Sequence, residues 1–374
     1  SRGMPHPGRG PKVAAVPKPS VPSPGQVQLT VDGVQVVVED RGGSLLGALR
    51  DQLGITSVKD GCSPQGQCGC CTVLVDGAPR VSCVTPVRRV AGRAISTVDG
   101  LDAQVRSDWS SALCASGGSQ CGFCTPGIVV RLSALRAKGT AVSDHGAVER
   151  ALQAHLCRCT GWQTIVEAWD QLDQPPAERD LDAASRRATI EGGAPQTVAP
   201  AIAEGRGGFA DDTAPERSLV AVRSADGGWV IGESVEEARE LAGKVQGRRT
   251  TVDPVPPLAV PDGTWDATLR TSWVEPGYLE TDATWCAPGG APASSLANGG
   301  AFGAKDDGHL GSIARELADR HGRPVRVLWS REDVVRLGVK RPPVAGGWWG
   351  TLQRGFVAWA AHWFLRLAGL SGRY

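Results

Sequence analysis

Alternation of apolar and polar side chains predicts a β-hairpin near the start of the chain. The segments Val27–Val31 and Val34–Val38 alternate in this way around Asp32-Gly33, which is a strong signal for a two-residue turn. The apolar spacing then changes to that of a helix. Ser44 stands before this helix as an N-cap and Gly54 follows it, so a short capped helix is predicted between them.

A glycine-rich loop and a second hairpin are predicted next. The loop begins at Gly61 and runs into the apolar strand Thr72–Val75. Asp76-Gly77 then predicts a turn into another strand, which carries Cys83. This order of hairpin, helix, loop and hairpin is the one expected of a β-grasp ferredoxin.

Three amphipathic helices are predicted after residue 120. Thr125 is the predicted N-cap of the first helix and Pro126 its first residue, and apolar side chains recur at helical spacing until Gly139. The second helix is predicted over residues 144–155, and Thr160 is the predicted N-cap of the third. The third helix carries an apolar stripe made of Trp162, Ile165, Val166 and Trp169.

Length and charge limit the classes of function. The 374 residues allow two or three domains, and 40 Lys and Arg against 39 Asp and Glu give no electrostatic reason to bind nucleic acid or a membrane surface. No apolar run reaches the roughly 18 residues of a membrane span. The first 25 residues hold seven prolines and no apolar signal-peptide core, so we expect a disordered N-terminus and a cytoplasmic protein.

The cysteines are concentrated in one part of the chain. Ten of the eleven lie between residues 62 and 159, which indicates metal binding rather than a disulfide scaffold. Nine of them form two groups, which are Cys62, Cys68, Cys70, Cys71 and Cys83 in the first and Cys121, Cys124, Cys157 and Cys159 in the second. We expect the other two, Cys114 and Cys286, to be ordinary buried thiols.

The first group has nearly the spacing of a plant-type [2Fe–2S] site, which is C-x4-C-x2-C with a distant fourth cysteine. Five residues separate Cys62 from Cys68, one more than in that pattern, whereas Cys68-x2-Cys71 fits it. Cys71 directly precedes the strand, so Cys71 rather than Cys70 is the predicted ligand, with Cys83 as the fourth. Backbone N–H groups of a glycine-rich loop can stabilise the negative charge of such a cluster. A zinc site or inert buried thiols are the alternatives.

The second group lies in helical sequence. Cys121-x2-Cys124 is placed at a helix start and Cys157-x-Cys159 between two helices, and helix N-termini favour thiolates. Taken alone, this pattern could hold zinc or an iron–sulfur cluster. Directly after a ferredoxin-like domain, a second electron-transfer cluster is the better interpretation. His155 is expected in the helix before Cys157 rather than as a ligand.

Five motifs carry a resemblance to a known family. They are Lys59-Asp-Gly-Cys62, Gly66-Gln-Cys68-Gly-Cys70-Cys71-Thr-Val, Ser82-Cys83, Gln120-Cys121-Gly-Phe-Cys124-Thr-Pro-Gly127 and His155-Leu-Cys157-Arg-Cys159-Thr-Gly161. Together they resemble the two iron–sulfur domains of the xanthine oxidase family of molybdenum hydroxylases, over residues 26–175. The resemblance implies two [2Fe–2S] clusters, whose ligands are Cys62, Cys68, Cys71, Cys83, Cys121, Cys124, Cys157 and Cys159. It also implies that Cys159 approaches a molybdopterin and that Gln120 lies beside it.

Further motifs are similar to the molybdenum-binding region of the same family. They are Gly207–Asp212, Tyr278-Leu279-Glu280, Asn298–Lys305, Arg323–Asp333 and Lys340-Arg341-Pro342. The third resembles a glycine-rich loop at the molybdenum centre, which implies cofactor-binding roles for Gly299, Gly300, Phe302 and Gly303. Without the family, this stretch is simply a glycine-rich turn.

Two departures from the family pattern limit this resemblance. Only Thr281–Ala297 separates the second and third of these motifs, and the glutamine that relatives carry there near the metal is missing. Asp306 stands where purine-hydroxylating relatives carry a glutamate. The catalytic residues are unknown, because the family's catalytic base lies in a second half that this chain does not show.

The predicted fold is therefore α+β in six segments. They are a disordered proline-rich N-terminus (1–25), a ferredoxin-like domain (26–100), a four-helix [2Fe–2S]-binding domain (101–175), a linker (176–200), an incomplete α+β molybdopterin-binding region (201–345) and a tail outside the family pattern (346–374). Gln353–Leu370 could form an amphipathic helix, but the tryptophan-rich tail is better explained as an out-of-frame or truncated end.

The resemblance implies an oxidoreductase that oxidises an aldehyde or N-heterocycle with water. Electrons would pass from molybdopterin through both clusters to a flavin subunit or another soluble acceptor, since no flavin domain is recognisable in this chain. One alternative is a ferredoxin-like electron-transfer protein with a vestigial, non-catalytic molybdenum region. A zinc-binding structural module is a third. The sequence leaves the substrate and the oligomeric state open.

Overall fold

The computed structural model describes residues 23–174, 179–190, 196–243, 256–297, 300–302, 305 and 308–348. These ranges form an α+β fold, as the sequence predicts. None of the helices within them is long and apolar enough to cross a membrane. Of the predicted disordered N-terminus, residues 1–22 lie outside the described ranges.

A five-stranded mixed sheet forms the first part of the structure. Its strands are β1 (Gln26–Val31), β2 (Val34–Glu39), β3 (Thr72–Val75), β4 (Ala78–Val81) and β5 (Ala94–Ser96). The strand order is β2-β1-β5-β3-β4, in which β1 and β5 are parallel and the other neighbours antiparallel. Every second side chain of β1 is buried, as its alternating sequence predicts.

Both predicted hairpins are confirmed. Their central residues all have positive φ, 49° and 82° at Asp32-Gly33 and 48° and 77° at Asp76-Gly77. This is the geometry of a type I′ turn, which an acidic residue followed by glycine favours. Cys83 lies just beyond the second hairpin, in the 3₁₀ turn Ser82–Val84, so its predicted place on the strand was wrong.

The predicted helix between the first hairpin and the cysteine loop is also present. It begins as α1 (Leu45–Gly47) and continues as a π-helical segment, Ala48–Gln52. Ser44 Oγ accepts a hydrogen bond from the N–H of Gly47 at 3.2 Å, which confirms the predicted N-cap.

Four helices follow the sheet, and one of them packs directly against it. They are α2 (Ala103–Ser116), α3 (Thr125–Ala137), α4 (His145–Leu152) and α5 (Gln163–Gln171). Helix α3 lies on β3, and the buried side chains of the helices and the sheet form one continuous hydrophobic core. Trp109 and Trp169 are fully buried in it, with their ring centroids 6.2 Å apart.

Two predicted N-caps in these helices were wrong. Cys124 is the N-cap of α3, and Thr125 is already its first helical residue. Trp162, with a φ of 68°, is the N-cap of α5, and the hydroxyl of Thr160 accepts the Trp162 N–H at 3.3 Å instead of capping the helix. The left-handed residue turns the chain sharply after the second cysteine pair, and α5 therefore begins later than the apolar stripe suggests.

The segment predicted as a linker contains a helix. Helix α6 (Leu181–Ile190) begins beside Asp180, whose carboxylate accepts the N–H of Ala183 at 2.8 Å. The prediction failed because it relied on the polar composition of the segment and overlooked a run of good helix formers that follows a capping residue.

A second sheet organises the remainder. Its strands are β6 (Leu219–Arg223), β7 (Trp229–Gly232), β9 (Ala283–Cys286) and β10 (Val325–Leu328), in the order β7-β6-β10-β9. A separate pair joins β8 (Ala267–Arg270) to β11 (Ala345–Trp348). The helices here are α7 (Pro200–Ala203), α8 (Ala210–Thr213), α9 (Val235–Leu241), α10 (His309–His321) and α11 (Arg331–Leu337). Strand β11 crosses residue 346, where the tail outside the family pattern is predicted to begin, and Gln353–Leu370, for which an amphipathic helix was the alternative, lies outside the described residues.

A buried ionic network joins this remainder to the ferredoxin-like sheet. The guanidinium of Arg50 lies 2.8 Å from both Asp211 and Asp212, and the ammonium of Lys59 also pairs with Asp212. Arg326 of β10 reaches back to Asp51 at 2.7 Å. The Lys59 side chain is fully buried, so Asp212 is its essential counter-ion.

Replacing that counter-ion should destabilise the fold. We expect Asp212→Asn to lower the free energy of unfolding by about 3 kcal/mol, because it leaves the buried charge of Lys59 unpaired. Glu316→Ala removes an exposed pair with Arg320 and should change it by less than about 0.5 kcal/mol. Anaerobic urea denaturation followed by circular dichroism measures both values. Equal effects of the two substitutions would contradict the assigned role of Asp212.

Candidate functional site

The first thiol group lies in the loop between the π-helical segment and β3, with Cys83 added by the 3₁₀ turn. All of its cysteines are buried. The N–H of Gln65 points at Cys62 Sγ from 3.1 Å, as a loop that stabilises negative sulfur requires. Gly61 is needed for close packing, since a Cβ there would lie 3.0 Å from Cys68 Sγ and 3.1 Å from Cys70 Sγ.

Within this group the thiols meet in pairs. Cys62 contacts Cys68, and this contact holds the pKa of Cys62 well below the thiol range and raises that of Cys68. Cys71 contacts Cys83 in the same way, with the pKa of Cys71 lowered and that of Cys83 raised. A further contact between Cys62 and Cys83 joins the two pairs into one group of four.

Cys70 lies at the edge of this group of four. Its thiol contacts Cys68 and lies beside Gly61, and its Sγ is 3.8 Å from the carbonyl of Cys68. The Cys71 thiol contacts Cys83, the cysteine of the 3₁₀ turn after β4. Cys71 rather than Cys70 remains the predicted ligand.

The second thiol group is built at the N-terminus of α3 and in the turn before α5. The Sγ atoms of Cys121 and Cys159 are 3.5 Å apart. Cys124 contacts Cys157, a contact that lowers the pKa of Cys157 to about 6, and the hydroxyl of Thr160 at 3.0 Å acts in the same direction. Cys159 is the least buried of the four.

Each thiol group has the number of ligands that one metal centre needs. All of these cysteines are buried except Cys159, which is partly exposed. A [2Fe–2S] cluster takes four cysteine thiolates shared between two irons, and structural zinc takes four ligands around one centre. Each group therefore offers the four thiols that one [2Fe–2S] cluster requires.

His155 joins the two cysteine-bearing loops. It lies beyond the end of α4, so its predicted place in that helix was wrong. The hydroxyl of Thr72 donates to the carbonyl of Gly69 at 2.7 Å, so it must accept its second hydrogen bond, at 3.0 Å, from His155 Nε2–H. Burial lowers the pKa of His155 to about 4, which keeps the ring neutral in this tautomer.

The residues predicted to contact molybdopterin lie partly beside the second thiol group. Gly300 approaches it closely, since a Cβ there would lie 3.1 Å from Cys121 Sγ and 4.0 Å from Cys159 Sγ. Gln120 is exposed next to Cys121, and Phe302 is exposed 46 %. Gly299 and Gly303 lie outside the described residues. The described residues thus fit one wall of such a site, next to Cys159.

Sequence analysis missed the contacts that hold this glycine-rich segment in place. The guanidinium of Arg158 stacks 4.9 Å from the centre of the Phe302 ring and donates to the carbonyl of Pro276 at 2.8 Å. Lys305 forms a buried ion pair with Glu280, and burial raises the pKa of Glu280 to about 7 despite the nearby ammonium. These partners are far apart in the chain, and no local pattern signals them.

Comparisons with known proteins agree with this geometry. Residues 97–170 match the family described as a [2Fe-2S] binding domain. The chain is 38% identical over 160 residues to the nicotine 6-hydroxylase small subunit of Paenarthrobacter nicotinovorans, which covers 42% of this chain and 94% of that protein. It is 37% identical over 145 residues to the xanthine dehydrogenase iron-sulfur-binding subunit of Escherichia coli O157:H7, covering 37% of this chain and 89% of that subunit.

Longer relatives match over a smaller share of their length. The aldehyde oxidoreductase of Megalodesulfovibrio gigas is 40% identical over 148 residues, which are 38% of this chain and 16% of that protein. A solved structure of an aldehyde oxidoreductase from Desulfovibrio gigas superimposes with a TM-score of 0.60 over 85% of this chain and 51% of that one, at 20% identity. The chain thus spans about half of that structure, and the likeness concerns the fold.

Two neighbouring cysteines provide a test of the ligand assignment. We expect Cys71→Ser to abolish one cluster and so to halve the iron bound per chain. The reason is that Cys83 contacts two thiols, those of Cys71 and Cys62, and the substitution removes the first of them. Cys70→Ser, its matched control, should leave both clusters in place. Iron and acid-labile sulfide analysis of anaerobically purified protein measures the outcome, and equal iron in the two variants would show that the assignment is wrong.

Proposed function

The chain belongs to the family of iron–sulfur subunits of xanthine dehydrogenases and aldehyde oxidoreductases, and we propose that it is the electron-transfer portion of a molybdenum hydroxylase. The observation that carries this proposal is the arrangement of eight thiols as two separate sets of four, of which the second brings the Sγ atoms of Cys121 and Cys159 to 3.5 Å from each other. When bound, [2Fe–2S] clusters supply one-electron transfer. Two such sets allow a two-electron oxidation to be passed on in single-electron steps.

The position of each set suggests its role. Cys121, Cys124, Cys157 and Cys159 form the set on the substrate side, and Cys62, Cys68, Cys71 and Cys83 form the set on the acceptor side. The close approach of Gly300 to Cys121 and Cys159 supports this direction, since the glycine-rich segment belongs to the region that resembles a molybdenum-binding domain. Gln120, Gly300 and Phe302, together with Cys159, are the described residues that would hold molybdopterin.

The overall reaction proposed is oxidation of an aldehyde or an N-heterocycle with water. The names of the relatives, an aldehyde oxidoreductase and a nicotine 6-hydroxylase, support these two substrate classes. A separate flavin subunit or a soluble acceptor would receive the electrons. Two relatives are named as one subunit of a larger enzyme, which supports an assembly with partner subunits.

One internal feature favours a second candidate function. Only Thr281–Ala297 separates Glu280 from the glycine-rich segment, and Glu280 is neutralised by Lys305 in a buried pair. The family that the chain resembles carries a longer segment at this point, with a glutamine near the metal, and neither stands here. The alternative is an electron-transfer protein whose molybdenum-binding region does not catalyse.

Metal analysis distinguishes these proposals. Anaerobically purified protein should contain about four irons and four acid-labile sulfides per chain, the content of two [2Fe–2S] clusters. Molybdenum bound in addition would favour the hydroxylase, and its absence would favour the electron-transfer protein without catalysis. Stoichiometric zinc without sulfide would contradict both.

A further inference from the structure

The first cysteine loop touches the start of helix α3 at a pair of glycines. Gly69 lies between Cys68 and Cys70, and Gly127 lies in the first turn of α3, three residues after Cys124. A Cβ on Gly127 would lie 2.3 Å from the carbonyl oxygen of Gly69. Side-chain carbon atoms do not approach other atoms closer than about 3.0 Å, so only glycine permits this contact.

Conformation does not explain why glycine stands at position 127. Gly127 is absent from the residues with positive φ and forms part of a regular helix. Alanine at such a position ordinarily stabilises a helix by about 0.8–1 kcal/mol relative to glycine. Glycine at position 127 therefore allows the close approach of the cysteine loop to helix α3.

A hydrogen bond links the same cysteine loop to the turn before α5. The N–H of Leu156 donates to the carbonyl of Cys68 at 2.9 Å, and Leu156 directly precedes Cys157. A proposed ligand of one cluster is thus linked to a proposed ligand of the other by one hydrogen bond and the adjoining backbone. The bond between Thr72 and His155 lies beside it and holds the same two loops together.

We propose that Gly127 is a positioning residue that sets the distance between the two [2Fe–2S] clusters. This inference rests on the proposed function, because it requires both clusters. In each transfer one electron leaves the cluster of the helical set and is gained by the cluster of the loop set, and no proton or atom moves. Both the rate of that step and the magnetic interaction of the reduced clusters fall steeply with distance.

The experiment compares two helical glycines in the full-length protein. Gly127→Ala must open the contact from 2.3 Å to at least 3.0 Å, a displacement of about 0.7 Å. Gly146→Ala in α4 is the matched control, since its Cβ would meet the flexible end of Arg150 at 3.1 Å and Asp144 Oδ1 at an ordinary contact distance of 3.6 Å. Both proteins are reduced anaerobically with dithionite, and low-temperature EPR measures the spin–spin splitting between the clusters.

We expect a smaller splitting in Gly127→Ala, with iron and sulfide unchanged, and the wild-type splitting in the control. Unchanged splitting in a fully loaded Gly127→Ala protein would overturn the inference. Loss of a cluster in Gly127→Ala, with both clusters kept in the control, would also overturn the inference, because Gly127 would then be needed to assemble a cluster rather than to set a distance. Lack of both clusters in the wild type would instead contradict the proposed function.

Discussion

Thiols that bind a cluster must be held close together although their charged forms repel one another, and this constraint determines much of the structure. Within each pair, one thiol has a lowered pKa and its partner a raised one, as in Cys157 and Cys124. The protein brings them together with a glycine-rich loop in one set and a helix N-terminus in the other, which are the two backbone arrangements that present free N–H groups to negative charge. Burial in one continuous core then fixes both sets relative to each other.

Buried contacts also fix the position of the rest of the chain. The region after residue 200 is attached to the ferredoxin-like sheet by ion pairs that are largely removed from solvent, with Asp211 and Asp212 as the acceptors for Arg50, Lys59 and Arg326. These acids belong to a motif that resembles the start of a molybdenum-binding region. Their role in this structure is mechanical: they hold that region against the sheet, while Gly300 approaches the second thiol group on its other side.

Local sequence signals predicted much of the fold and most of the site. Both Asp-Gly turns, the Ser44 cap and the grouping of the cysteines could be found from residues a few positions apart, because the forces that produce them are local. The start of α5 was misplaced because Trp162 adopts a left-handed conformation that its sequence does not announce. The contact between Gly69 and Gly127 could not be predicted either. From sequence alone, a glycine in a helix only suggests lower helix stability, and its purpose is visible only once the carbonyl of Gly69 is placed opposite it.

If the chain carries two separate one-electron centres, one for each set of four thiols, each should accept one electron. Stepwise anaerobic reduction with dithionite, followed by EPR and visible absorption, counts these electrons and resolves the centres. We expect uptake of about two electrons per chain and two distinct signals from reduced [2Fe–2S] clusters. Uptake of a single electron with one signal, or no reducible centre at all, would contradict it.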